Sequence, residues 1–238
     1  MSVKGHIPNV LTLANVGCGF MALVALLHHH EVKLAALLMA ISLVLDFLDG
    51  MLARLLGVSG ELGKQLDSLA DGITFGALPG AFVYHMLEDT PYWWAAILVP
   101  MFSVLRLGKF NLDTRQSDGF IGLNTPANAI FWAGLVLSFD ELLGGIVTQR
   151  LELSIASLAL VTSLLLVSEI PMFSFKVKNL GWKGNEVRYL FLICAAALII
   201  FSVIRLEMYF VPVPIIILLY LIFSIINNLL AKRHEIQS

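Results

Sequence analysis

Long apolar runs separated by short polar stretches organise this chain from end to end. A membrane-crossing helix needs about 20 mainly apolar residues, and eight runs can be laid out at about 10–27, 34–56, 72–87, 93–111, 127–144, 153–172, 189–204 and 209–230. Apolar residues follow one another continuously instead of alternating with polar ones, which predicts helices and not barrel strands. The first run is preceded by a single Lys4, lacks a clear small-residue cleavage site and contains Asn15, so it reads as a span and not as a signal peptide. The expectation is an all-α integral membrane protein with about eight transmembrane helices, residues 1–238 forming a single membrane domain.

Composition supports this class. Of 238 residues, 58% are hydrophobic and 13% charged, too few polar side chains to cover a globule in water. A mean hydropathy of +0.87 excludes a soluble enzyme or a disordered chain. The net charge of -2 carries no basic signature for nucleic acid. Cys18 and Cys194 lie far apart in apolar stretches without CxxC spacing and are expected as buried free thiols.

The cations orient the spans. With the N-terminus in the cytoplasm, that side receives Lys4, Arg54, Lys64, Arg106, Lys109, Arg115, Lys176, Lys178, Lys183, Arg188, Lys232 and Arg233. Only Lys33, Arg150 and Arg205 of the 15 Lys and Arg fall outside, a split that places both termini in the cytoplasm. Tyr92, Trp93 and Trp94 then sit at an outer boundary, as an interfacial aromatic belt does.

Carboxylates interrupt this pattern at one place. Asp46 and Asp49 stand at i,i+3 on the second span, with Gly50, Ala53 and Arg54 continuing the stripe. Gly63, Asp67 and Asp71 follow at i, i+4 and i+8, one face of the next helix, after a short connection around Gly57, Ser59 and Gly60. Two neighbouring antiparallel helices would turn four carboxylates towards one another, an arrangement that repels itself and calls for a cation. Oxygen ligands without His or Cys point to a hard ion, Mg²⁺ or Mn²⁺. Arg54 offers a forked donor to a phosphate, and Gly50 and Gly63 leave room for close approach. A single Asp near a helix end needs no more than a partner such as Arg54 or Lys64; four in register with two glycines and an arginine favour the metal reading.

The pattern Asp46-x2-Asp49-Gly50-x2-Ala53-Arg54-x8-Gly63-x3-Asp67-x3-Asp71 resembles the complete signature of the CDP-alcohol phosphatidyltransferases, eight fixed positions within 26 residues. That resemblance implies a membrane enzyme in which Asp46, Asp49, Asp67 and Asp71 hold two metal ions and Asp71 also serves as general base towards the acceptor hydroxyl. It implies that a CDP-linked lipid lies against Asp49, Gly50, Ala53, Arg54 and Gly63, with Ser59, Gly60 and Ser68 as further expected contacts. It also implies a six-helix core and a homodimer, with two extra C-terminal helices at about 189–230. Asn15, inside the first span, either hydrogen-bonds towards the site or bonds another helix.

IPNVLTLANVGCGF, QLDSLADGITFGALPG, RLGKFN (Arg106–Asn111) and FIGLNTPAN (Phe120–Asn128) are similar to the membrane-integral, CDP-diacylglycerol-dependent phosphatidylserine synthases. The likeness implies phosphatidyl transfer from CDP-diacylglycerol to L-serine with release of CMP at a cytoplasmic face, the inner membrane in a bacterium. Lys109 replaces the group's usual second Arg, and Asn124 its usual Pro after Gly-Leu. Arg106 and Lys109, with Asn111 as a further donor, are candidates to hold the serine carboxylate; the two cations equally suit the phosphates of membrane lipids. Glycerol 3-phosphate or inositol phosphate as acceptor would call for a denser basic pocket. A transporter would carry paired broken helices in two repeated halves, whereas these carboxylates share one window. His28, His29 and His30 fall in an outer loop, on the wrong side for the carboxylates, and read as solvated.

Overall fold

The computed structural model describes residues 3–58, 60–113, 120–144, 149–173, 181–182 and 185–237. Helices α1 (Val3–His29) and α2 (Val32–Leu55) form an antiparallel hairpin closed by a tight turn at His30 and Glu31. After α2 the chain reverses through Gly57, whose φ of 64° lies in the left-handed region that glycine enters without penalty. Helix α3 (Glu61–Asp71) is amphipathic and runs without a break through a π-helical turn, Gly72–Ala77, into α4 (Leu78–Leu87). Close packing surrounds this turn: a Cβ at Gly19 of α1 would collide with the Thr74 hydroxyl, and one at Gly76 would press on Ser103. A 3₁₀ turn, Trp93–Ile97, leads into α5 (Leu98–Leu112).

A two-residue strand β1 (Phe120–Ile121) pairs antiparallel with β2 (Pro171–Met172), Phe120 opposite Met172. Between them lie α6 (Thr125–Leu143) and α7 (Gln149–Leu166), and after them α8 (Glu186–Leu206) and α9 (Pro212–Gln237). Asn124 caps α6 by accepting a hydrogen bond from the Ala127 N–H at 2.7 Å, a role open to Asn and closed to the Pro usual at this place. Helix α6 is central, packed against α2, α4, α5, α7 and α9. Its Phe131 and Trp132 join Phe75, Leu78 and Phe82 in the main core. A smaller cluster of Phe173, Phe191 and Tyr220 gathers β2, α8 and α9. Glu141 fastens the turn before α9 to the end of α6 by accepting from the Tyr209 and Phe210 N–H groups.

Among the described residues, six helices are long and apolar enough to cross a membrane. Large apolar side chains stand on their outer faces, Phe20 61%, Phe47 65% and Ile204 70% exposed, as lipid as solvent requires. This is a multi-pass, all-α membrane protein. The expected third and fifth spans fall on α4 and α6, neither of which is one of the six. Helix α4 has only 10 residues beyond the π turn, and α6, shielded by its neighbours, carries Asn128, Asp140 and Glu141. The expected sixth span ends too late: α7 stops at Leu166, because Gly122 and Leu123 donate to Ile170 and Leu165 and draw the following residues into β2. Cys18 and Cys194 are free thiols, half-buried and not fully enclosed as expected.

Candidate active site

The helical stripes read from the sequence meet in one cavity of about 860 Å³ at one end of the bundle. Helix α2 contributes Asp46 and Asp49 and α3 contributes Asp67 and Asp71. One carboxylate oxygen from each of Asp46, Asp49 and Asp67 lies within 4.8 Å of the others. The buried Oδ1 of Asp71 has no hydrogen-bond partner. Burial, then repulsion from Asp46, pushes the Asp67 carboxyl up to about 6. The same two causes, with Asp67 adding to the repulsion, push Asp71 up to about 9, against a smaller downward pull from Arg106. Such a cluster favours whatever positive charge can enter it.

The donor chemistry fits a hard divalent cation. The ligand atoms are carboxylate oxygens, the orphaned Asp71 Oδ1 leaves an acceptor to be satisfied, and the cavity lining includes no His or Cys among the described residues. Asp49, 5% exposed, is held by the Thr12 hydroxyl of α1, which donates to its Oδ2 at 2.6 Å. This contact fixes one carboxylate from behind, as supports to metal ligands commonly do.

Gly50, Ala53, Arg54, Gly60, Gly63 and Ser68 line the same cavity. A Cβ at Gly50 would stand 3.5 Å from the Arg54 guanidinium, and one at Gly63 3.6 Å from the Asn9 side chain, so both glycines keep open space that a side chain would fill. Ser59 lies outside the described residues. Asn15 does not line the cavity: it is fully buried, and its carbonyl accepts hydrogen bonds from Ser42 and Thr74.

The facing wall comes from α5 and the start of α6. Arg106 is 6% exposed; its Nη1 donates to the Thr125 hydroxyl at 3.3 Å, its guanidinium lies 5.3 Å from the Phe110 ring centre, and its Nε has no partner. Asn111 ties α5 to α3 by donating to Ser68 at 2.7 Å, while its carbonyl accepts from Lys64 at 3.1 Å. Lys109, on the same helix, is exposed and is not part of the lining. The reading of the sequence missed Thr12, Asn9, Phe110 and Thr125 as site residues. Their only signal was membership in the IPNVLTLAN, RLGKFN and LNTPAN stretches, with no spacing relation to the carboxylates.

Fold and cavity together define a multi-pass membrane protein in which α2 and α3 present a carboxylate cluster beside arginines. Residues 5–169, which include most of α1 and all of α2 to α7, match the CDP-alcohol phosphatidyltransferase family. The chain belongs to that family. It is 35% identical over 175 residues to a Mycobacterium leprae protein named CDP-diacylglycerol–serine O-phosphatidyltransferase, covering 70% of this chain and 57% of the relative. A Bacillus subtilis protein of the same name is 33% identical over 174 residues, 72% of this chain and 92% of the relative. A Helicobacter pylori namesake is 33% identical over 180 residues, 71% and 72% respectively. The chain thus spans under two thirds of the mycobacterial relative and nearly all of the Bacillus one.

Proposed function

We propose that this protein transfers the phosphatidyl group of CDP-diacylglycerol to the hydroxyl of L-serine and releases CMP. The observation that carries this reading is the single cavity in which four Asp side chains face Arg106, with Arg54 and two glycines on the same wall as the carboxylates. Family membership supports the reaction class, and the shared name of the relatives supports serine as acceptor.

In this reading Asp46, Asp49, Asp67 and Asp71 hold Mg²⁺ or Mn²⁺, two ions by resemblance. When bound, these ions neutralise charge on the diphosphate and polarise its oxygens. Arg54, exposed at the cavity wall, pairs with a donor phosphate, and Gly50 and Gly63 let the nucleotide approach the backbone. Ala53, Gly60 and Ser68 complete that wall. Arg106 presents its unpartnered Nε to the serine carboxylate, with Thr125 and Phe110 holding the guanidinium in place.

The serine hydroxyl oxygen attacks the phosphorus that carries diacylglycerol. The phosphorus–oxygen bond to CMP breaks, CMP takes the electron pair, and the hydroxyl proton passes to Asp71 and then to solvent. Little covalent chemistry falls to the protein; the cavity accelerates the reaction by placing the two reactants and by meeting their charge.

The distribution of Lys and Arg supports a cytoplasmic site with both termini on that side, in the inner membrane of a bacterial cell. The eight-span arrangement and the homodimer belong to the same reading, carried by the span pattern and the family resemblance. The test is CMP release by purified protein in detergent with CDP-diacylglycerol, a divalent metal, and each acceptor supplied separately. Turnover with serine alone is the expected result; turnover with glycerol 3-phosphate or inositol phosphate in its place reassigns the acceptor.

A further inference from the structure

The carboxylate cavity does not use the histidines at the other end of the bundle. His30 is exposed, as its reading from the sequence has it, and the fold also sets it beside His85 and Glu88 of a different helical segment. The three side chains offer two imidazole nitrogens and one carboxylate oxygen, all within 4.8 Å of one another. The ring centres of His30 and His85 are 5.7 Å apart. His85 Nδ1 and Glu88 Oε1 are 3.9 Å apart, too far for a good hydrogen bond, so the pair does not satisfy itself. We propose that His30, His85 and Glu88 form a second metal site, for a borderline transition-metal ion such as Zn²⁺, at the end of the bundle opposite the four aspartates.

The donor set selects the ion. Imidazole nitrogen suits zinc, cobalt, nickel and copper and is a poor ligand for magnesium, so the two ends of the molecule take different metals. Two histidines and a glutamate leave a fourth position for water around zinc. Bond lengths of about 2.0–2.1 Å in a tetrahedral shell put ligand atoms about 3.3 Å apart. Small rotations of half-exposed side chains cover the remaining distance. His30 is exposed, while side-chain exposure is 22% for His85 and 31% for Glu88, so two ligands are partly sheltered and the third leaves the site open for an ion to enter.

The backbone prepares the site. His30 adopts a left-handed φ of 54°, uncommon for a residue with a side chain. Hydrogen bonds from its N–H to Leu26 O (3.1 Å) and from the Glu31 N–H to Ala25 O (2.9 Å) lock the turn. His85 and Glu88 are one turn apart at the end of α4. A bound ion would cross-link the α1–α2 turn to the end of α4. From there α2 runs to Asp46 and Asp49, and the α3–α4 helix runs back to Asp67 and Asp71, each path about 20–27 Å long at about 1.5 Å per residue. The cross-link therefore holds the two carboxylate-bearing helices together at their far ends.

The test uses the full-length protein in detergent, purified without a histidine tag and with saturating Mg²⁺ at the carboxylate end. Co²⁺ reports nitrogen coordination through its visible spectrum, and Zn²⁺ competes for the same place. The expected result is one Co²⁺ per chain, displaced by Zn²⁺, with the unfolding temperature raised by either ion. His85→Gln and His30→Asn, the latter chosen because Asn tolerates a left-handed backbone, should each weaken Co²⁺ binding at least about 10-fold. A variant carrying His28→Ala and His29→Ala should bind as the parent does. CMP release in all three variants shows that they are folded. Absence of Co²⁺ binding by the parent at micromolar concentration overturns the proposal, as does an unchanged spectrum in His85→Gln. Loss of binding in the His28 and His29 variant alone does the same.

Discussion

The two ends of this helix bundle both gather side chains that could hold a metal, and they do so under opposite physical conditions. At one end four carboxylates crowd a cavity, with Asp49 buried and a buried Asp71 oxygen left without a donor. At the other, two imidazoles and a carboxylate meet at a half-exposed helix end. Clustered carboxylates are costly to bury, so their persistence at the first end demands a compensating cation. Imidazoles at an exposed turn carry little such cost, and the second end does not call for an ion in the same way. The first arrangement invites a cation to relieve its charge, whereas the second is a place where a ligand adds something. Reading a cluster therefore begins with what it costs when nothing is bound.

This contrast can be broken by substitution. The largest effect is expected at the carboxylate end: Asp46→Asn or Asp67→Asn should lower turnover by about 10³-fold or more while Co²⁺ binding at the histidine end is unaffected. Near-normal CMP release at low Mg²⁺ in either variant would remove that residue from the ligand set. Asp71→Asn should lose about 10²–10⁴-fold in kcat and bind CDP-diacylglycerol almost as tightly as the parent, because only proton removal is lost. Binding that falls in parallel with rate makes Asp71 a plain ligand.

Smaller effects sharpen the picture within the cavity. Arg106→Gln should raise the KM for serine by about 10–100-fold and leave that for CDP-diacylglycerol nearly unchanged, since one charged hydrogen-bond partner of the carboxylate disappears. A change confined to the lipid donor would move Arg106 to the other substrate. Thr12→Val removes the hydroxyl behind Asp49, and the Mg²⁺ concentration for half-maximal rate should rise about 10-fold. An unaltered metal requirement would reduce Thr12 to a packing contact. The smallest effect on activity belongs to His85→Gln, which should release CMP within about 2-fold of the parent because His85 is not among the residues lining the carboxylate cavity.

The parts of the site that lie on single helices were legible in advance. Asp46 and Asp49 share a face because residues three apart do, and Gly63, Asp67 and Asp71 share another for the same reason. The short turn through Gly57 makes these faces neighbours. Arg106 and Asn111 were legible as members of one polar run on α5, but periodicity could not separate them from Lys109, which points away from the cavity. Asn15 shows the limit of such reading: its side-chain amide is buried without a hydrogen-bond partner, only its backbone carbonyl accepts from Ser42 and Thr74, and it does not line the cavity.

Hydrophobic length was enough to indicate a helical membrane protein, and a local stripe of aspartates was enough to pick out one candidate site and its family. Both are properties of residues near one another along the chain, where helix geometry leaves little choice. The assignment of Thr12 to Asp49, of Thr125 to Arg106, and of His30 to His85 and Glu88 depended on how distant helices pack. So did the central burial of α6 and the early end of α7. Packing among many apolar faces has no local code. Which faces meet is settled by side-chain fit across the whole bundle, including the close approaches that Gly19 and Gly76 permit around the π turn.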